Sequence, residues 1–505
     1  MSQSVRSDRR KNILFIITDQ QRRDTLRCYG NEIVHTPVTD LLAQTGTRFD
    51  NFFTPTAICT PARASLLTGL LPFRHKLLAN YEWNLGSLEE LPEGLPSLAR
   101  LLQGAGYRTG HIGKWHVGHE RGPGFYGFDG DHFPGPLNPV DHPLYVDWLN
   151  EHNYPPFGVG DSIEGRFPDG RVGHLMAARL EQPVEATFEA FLVDKAVELL
   201  EEYAGTYRET GQPFYLALDF FGPHLPYLLP DDYFDLYDTD DITLPPSFKE
   251  AFEGKPPVQR RYSEYWTTDS FTTAQWKKIW AVYWGYVTMI EDLLTRVVKR
   301  LQDLEIWDDT VICFTTDHGE FTGAHRLNDK GPAMYDDIYR IPALVRHPEG
   351  GAQAEERFAD LLDMHATILE IAGVADHDGG DGKSLLGLVL GDEPANWRTA
   401  QVSEFHGHHF AYQQRMIRTK THKLIINPES YNELYDLVED PSELLNVYKV
   451  PRYDQVRKEM ELALFDELRI RGDKFFQWMN FMCDIDWTHR TQLSTSVESK
   501  IKPKV

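Results

Sequence analysis

Two short apolar runs end in groups that can bind a metal ion. Lys11 to Thr18 (KNILFIIT) stops at Asp19, and Thr310 to Thr316 (TVICFTT) stops at Asp317-His318. Taken singly, each of these residues reads as an ordinary strand-end capping group. Taken together at one edge of one sheet, Asp19, Asp317 and His318 make a divalent-cation site. A set built mainly of hard oxygens suits calcium, magnesium or manganese, and the imidazole nitrogen keeps manganese in play. A third apolar run, Phe214 to Phe221, delivers Gly222-Pro223-His224. Cys59-Thr60-Pro61-Ala62-Arg63 places a cysteine just ahead of a helix with proline in its first turn. On its own that pentapeptide also reads as a buried cysteine. Cys28, Cys313 and Cys483 show no zinc spacing and no dense disulfide framework. They read as structural, Cys313 as a small buried hydrophobe.

These groups need elements to hold them. The three apolar runs read as buried strands of a mostly parallel sheet, because such strands are apolar on both faces. Ligand sites of open α/β sheets lie at the carboxyl ends of the strands, where the candidate groups fall. Helices are predicted over Pro37 to Gln44, Pro61 to Thr68 with Gly69 as the stop, Leu95 to Gly104, and Trp276 to Leu301. Thr47 to Phe53 and a segment into His111-Ile112 read as further strands. Alternation of strands and helices predicts an α/β fold, a large mixed but mostly parallel sheet between helix layers. Residues 122–190, rich in Gly, Pro and His, read as a long irregular insertion at the mouth of the site. Beyond the Gly/Asp-rich DHDGGDG stretch, strands near Arg415 to Thr419 and His422 to Ile426 and a helix from Tyr453 to Arg471 read as a smaller α+β domain.

CTPAR followed by ASLLTG, residues 59–69, resembles the signature of the type I, formylglycine-dependent sulfatases of the alkaline phosphatase superfamily. GFDG at 127–130, DHGE at 317–320, RIP at 340–342 and ELYDLVEDPSELLNV at 433–447 extend the resemblance along most of the chain. It implies an alkaline-phosphatase-like fold and an oxidation of Cys59 to formylglycine by dedicated machinery. The hydrated aldehyde would then attack sulfur and later expel sulfate, with Arg63 holding the residue. By the same resemblance, residue 59 joins Asp19, Asp317 and His318 as a metal ligand. Lys114 and His116, in IGKWHVG, correspond to a sulfate-binding lysine and a base acting on the diol. His224 and Lys330 are both candidates for the general acid, and the sequence does not separate them. Where the family often has a second acid after the first strand, this chain has Gln20. That departure resembles the choline-sulfatase and phosphonate monoester hydrolase branch. Gln20 is carried over as a contact to the metal or to a substrate oxygen, and Asn80 as a contact to the substrate anion.

Composition narrows the rest. Acidic residues outnumber basic ones by 76 to 51, a net charge of -25, which argues against nucleic acid as partner. An anionic small substrate, a saccharide or other sulfate ester, stays compatible with a locally positive pocket. The apolar run Ile13 to Ile17 is too short for a secretory segment, and no run approaches a membrane span, so a cytoplasmic location is expected. A chain of 505 residues exceeds one core. The expected division is a catalytic domain over 1–380, a C-terminal α+β unit over 381–483, and a tail or oligomerisation arm over 484–505. Two alternatives to sulfate-ester hydrolysis are a phosphonate monoester or phosphodiester hydrolase using the same site, and a non-catalytic anion-binding protein. Specificity is expected from 122–190 and from Glu404 to His409, whose His and aromatic residues could meet a sugar or an aryl group.

Overall fold

The computed structural model describes residues 10–83, 85–374, 379–428 and 430–483. Seven strands form the main sheet: β1 (Asn12–Thr18), β2 (Thr47–Phe49), β3 (Arg108–Gly113), β4 (Phe214–Asp219), β5 (Thr310–Thr316), β6 (Ala343–Arg346) and β7 (Gln353–Glu355). Their spatial order is β7-β2-β6-β5-β1-β4-β3. β3, β4, β1 and β5 run parallel, while β6 is antiparallel to both β5 and β2. The sheet is therefore mixed and mostly parallel, as the alternation of elements predicts.

β1 explains why the core has two halves. All seven of its residues are buried. Leu14 and Ile16 pack into one apolar cluster with the helices α3 (Phe188–Thr210) and α4 (Thr273–Asp303). Ile13, Phe15 and Ile17 point to the opposite face and pack with α2 (Cys59–Thr68) and α5 (Leu361–Ile371). Successive strand residues alternate faces, so a strand covered by helices on both sides must be apolar throughout. α1 (Pro37–Thr45) lies with the first layer.

A second sheet follows, antiparallel, in the order β8 (Gln401–Gly407), β9 (Ala411–Arg418), β10 (His422–Ile426), β11 (Glu433–Asp436). The helix α6 (Asp454–Arg471) covers it through Leu464, Phe465 and Leu468. The expected tail at 484–505 lies outside the described residues, as does part of the Gly/Asp-rich stretch. Among the described residues no helix is long and apolar enough to cross a membrane.

The structure corrects several boundaries. α2 starts at Cys59, two residues before Pro61. A proline is tolerated there because the amides of a first turn lack intrahelical partners. Gly69 ends α2 at φ 70°, in the left-handed region expected of a C-terminal cap. Thr47 to Phe53 breaks at Asp50-Asn51 into two short strands, and the Leu95 helix begins only at Leu98. The insertion 122–190 is not irregular. It contains a helix, Pro143–Glu151, and an antiparallel pair, Val159–Arg166 with Val172–Leu180. The first of these strands is mostly exposed, so it lacks an apolar period, and the second pairs with Tyr227–Leu229, far along the chain.

Candidate active site

The carboxyl ends of β1, β5, β4 and β3 converge on the amino end of α2. β1 delivers Asp19 and Gln20, β5 delivers Asp317 and His318, β4 ends in Asp219, and β3 leads into Lys114. The last two meet closely, the Lys114 amide donating to the Asp219 carbonyl at 2.8 Å. Gly113 makes that approach, since at its φ of 107° a Cβ would sit 1.8 Å from the same oxygen.

Arg63, one turn into α2, is the centre of the constellation. Its Nε donates to Asp317 Oδ2 at 2.9 Å and its Nη2 to Asp19 Oδ2 at 3.0 Å. Its Nη1 donates to the Lys114 carbonyl at 2.9 Å and to Asp219 Oδ2 at 3.2 Å. A planar guanidinium suits this, because its donors leave in fixed, diverging directions. Lys114 Nζ lies 2.8 Å from Asp19 Oδ2 and donates to the Pro136 carbonyl at 2.6 Å. Burial alone would raise the Asp19 pKa, but Lys114 and Arg63 hold it well below the usual carboxylate range.

Cys59 is fully buried at the start of α2, its Sγ 3.1 Å from His318 Nε2 and 3.9 Å from Asp19 Oδ1. One ligand atom from each of Asp19, Cys59, Asp317 and His318 lies within 4.8 Å of the others. The two carboxylates suit a hard divalent cation; the Cys59 thiol does not, and its Sγ marks the place an oxygen on residue 59 would take. Both cations on Asp19 take its Oδ2, leaving Oδ1 toward Cys59. His318 Nδ1 faces the Gly319 carbonyl at 2.9 Å, so that nitrogen carries the proton and Nε2 presents a lone pair. Burial lowers the His318 pKa, which favours the neutral, ligating form.

Gln20 is not among these four. Held at φ 63°, it accepts from Lys330 Nζ at 2.9 Å and donates to Glu320 and to Asp329 Oδ1, the latter at 3.0 Å. Asn80 accepts the Thr60 amide at 3.0 Å, satisfying a first-turn donor of α2 beside Cys59. Lys330 Nζ also contacts Asp329 Oδ1 at 3.0 Å and His224 Nε2 at 2.9 Å. Burial, then Lys330 and Lys114, push the His224 pKa well below its usual value. Against the effect of burial, Asp329 drives the Lys330 pKa up. His116, at φ 47°, bonds Glu82 Oε1 through Nε2 at 2.8 Å, and its buried Nδ1 has no hydrogen-bond partner among the described residues. Glu82 is held ionised by that bond in spite of burial, so His116 Nε2 is the donor.

Four supporting residues were not assigned this role from the sequence. Asp219 was visible as the one acid inside the run FYLALDFF. Asp329 adjoins Lys330. Glu82 carries no local signal, and His408, which bonds Asp329 Oδ2 at 3.0 Å, lies in the Glu404 to His409 segment read for specificity, not as a partner of Asp329.

The profile of the sulfatase family matches residues 11–374. The chain belongs to the sulfatase family. A second profile, the C-terminal region of N-sulphoglucosamine sulphohydrolase, matches 323–469 of this sulfatase. The sulfatase is 28% identical to the uncharacterized sulfatase YidJ of Escherichia coli (strain K12), over 93% of this chain and 90% of that one. It is 25% identical to an N-acetylglucosamine-6-O-sulfatase of Bacteroides thetaiotaomicron, over 91% and 86%. The crystal structure of the phosphonate monoester hydrolase of Agrobacterium radiobacter superposes with a TM-score of 0.76 at 26% identity, covering 92% and 95%. The sulfatase is thus a sulfuric ester hydrolase with a sulfatase fold.

Proposed function

We propose that this sulfatase hydrolyses a sulfate monoester, with residue 59 as nucleophile after conversion of Cys59 to formylglycine. The observation that carries the reading is the position of the Cys59 thiol, 3.1 Å from the free nitrogen of His318 and at the apex of an Arg63-bound set of carboxylates. The hydrated aldehyde supplies one hydroxyl for attack and a second for expelling sulfate, which avoids a stable sulfated enzyme. Because Cys59 is 0% exposed, the modifying machinery must act before α2 packs.

Asp19, Asp317, His318 and residue 59 would hold one divalent cation, of the calcium or manganese kind, that neutralises sulfate oxygens and lowers the pKa of the nucleophile. The chain's own groups do the remaining work. Arg63 fixes Asp19 and Asp317 in place. Lys114 binds a sulfate oxygen from beside Asp19. His116, its Nε2–H committed to Glu82, uses Nδ1 as the base. His224, neutral, accepts from Lys330, so the proton for the departing alkoxide comes from the Lys330 ammonium and His224 aims it.

Two observations favour a second reading, a phosphonate monoester hydrolase. The Agrobacterium enzyme of that activity matches nearly the whole chain, and Gln20 stands where a second acid is common. Mass spectrometry of the Cys59 peptide and a comparison of kcat/KM on an aryl sulfate and a phenyl phosphonate test both points. An active enzyme with an intact thiol refutes the nucleophile; a clear preference for the phosphonate refutes the substrate.

A further inference from the structure

Beside Lys330 lies a wall of aromatic and imidazole rings that the catalytic groups do not use. His409 is its hub, with ring centroids 4.3 Å from Trp83, 4.9 Å from Tyr265, 5.7 Å from Tyr262 and 4.0 Å from His408. The wall joins the site at both ends. Trp83 follows Glu82, the partner of His116, and Tyr81 stands edge-on to the His116 ring at 5.2 Å. His408 bonds Asp329, the partner of Lys330, and the Tyr262 hydroxyl donates to the Lys330 carbonyl at 2.5 Å. Trp83 is 43% exposed and Tyr265 38% exposed, so part of each ring stays open to solvent beside the site. Burial and the neighbouring His408 hold the His409 pKa down to about 3, so the wall is uncharged at neutral pH.

We propose that this wall binds the organic half of the ester, and that the leaving group is cyclic, stacking an apolar ring face on the Trp83 indole. The inference rests on the proposed hydrolysis. A pyranose and an aryl ring share the chemistry of such a face. An uncharged wall leaves recognition of the anion to Lys114 and Lys330.

The test compares wild type, Trp83→Ala and Trp83→Phe on esters matched in leaving-group chemistry. Glucosamine 6-sulfate and ethyl sulfate are both primary alkyl esters, cyclic and acyclic; 4-nitrophenyl sulfate forms the aryl arm. Trp83→Ala should lose roughly 5- to 10-fold in kcat/KM on the cyclic esters, mostly through KM. It should change ethyl sulfate by less than about 2-fold, and Trp83→Phe should restore most of the loss. Loss on only one cyclic arm names the sugar or the aryl ring as the ligand. Equal losses on cyclic and acyclic esters, or none on either, overturn the proposal. Phenyl and ethyl methylphosphonate are run in parallel. If wild type turns over only phosphonates, the sulfate reading fails, and the phosphonate pair still reports on Trp83.

Discussion

Arg63→Lys separates the charge of Arg63 from its shape. The guanidinium, 3% exposed, serves four acceptors from three nitrogens: Asp317, Asp19, Asp219 and the Lys114 carbonyl, at 2.9–3.2 Å. An ammonium keeps the charge but concentrates three donors on one atom, and it cannot span carboxylates that diverge from three strand ends. Loss of two of the four charge-assisted bonds costs about 3–6 kcal/mol, at ~1.5–3 kcal/mol each. Against a total of about 5–15 kcal/mol for a typical domain, the variant should fold but unfold at markedly lower urea. Asp19 and Asp317 would lose their fixed orientation, so metal occupancy and kcat/KM should fall together. Urea unfolding followed by fluorescence, metal content by mass spectrometry, and kcat/KM on an aryl sulfate measure the three effects. If Arg63→Lys lies within about 1 kcal/mol of wild type and keeps its kcat/KM, the geometry of the fork is not what holds the site.

Two other perturbations follow from the same networks. Lys330→Met should lower kcat on alkyl sulfates by about 10²–10⁴-fold and much less on 4-nitrophenyl sulfate, whose leaving group needs no proton; equal losses on both would remove Lys330 as the acid. Glu250, buried and bonded to Lys255 and to His325 at 3.0 Å, has its pKa pulled from 4.5 to about 2 by His325 and Lys255 in spite of burial. A depressed carboxylate stabilises the fold above its unfolded pKa and loses that contribution as pH falls through the folded one. On the order of 3 kcal/mol should therefore disappear between pH 4.5 and 2. Glu250→Gln should be less stable than wild type at pH 7 and equal to it near pH 2; a gap that persists at pH 2 contradicts the assignment.

The strands that carry the site were legible because burial on both faces leaves a continuous apolar run, as in β1, β4 and β5. So were the groups at their ends: Asp19, Asp317 and His318 meet Cys59 and Arg63 as the spacing and the resemblance implied. What stayed hidden depends on contacts between distant segments. The hairpin in 122–190 has exposed outer residues, and its partner Tyr227–Leu229 comes later in the chain, so no local period marks it. Glu82 and His408 reach the catalytic groups through His116 and Asp329, partners far away in the chain. Gln20 illustrates the limit in the other direction: its position was read from the strand end, but its amide is committed to Lys330, Glu320 and Asp329.

The pairing of these groups also revises how an acidic protein attracts an anion. A surplus of cations around the sulfate was the expectation, but each cation is already matched. Arg63 serves Asp317, Asp19 and Asp219, Lys114 serves Asp19, and Lys330 serves Asp329. At formal charges these four carboxylates face three cations, a balance of -1 before any charge on Glu320 is counted. A divalent cation at Asp19, Asp317 and His318 would turn that to +1. Removal of the metal should therefore weaken anion binding itself, beyond slowing the chemistry. Inorganic sulfate, a product that makes no demand on the nucleophile, is the probe. Its inhibition or binding constant, measured by calorimetry before and after chelation and again after adding calcium or manganese, should weaken by at least about 10-fold without the cation and recover with it. Sulfate binding that survives chelation unchanged would mean that Lys114 and Lys330 suffice, and that the carboxylates are neutralised by protonation instead.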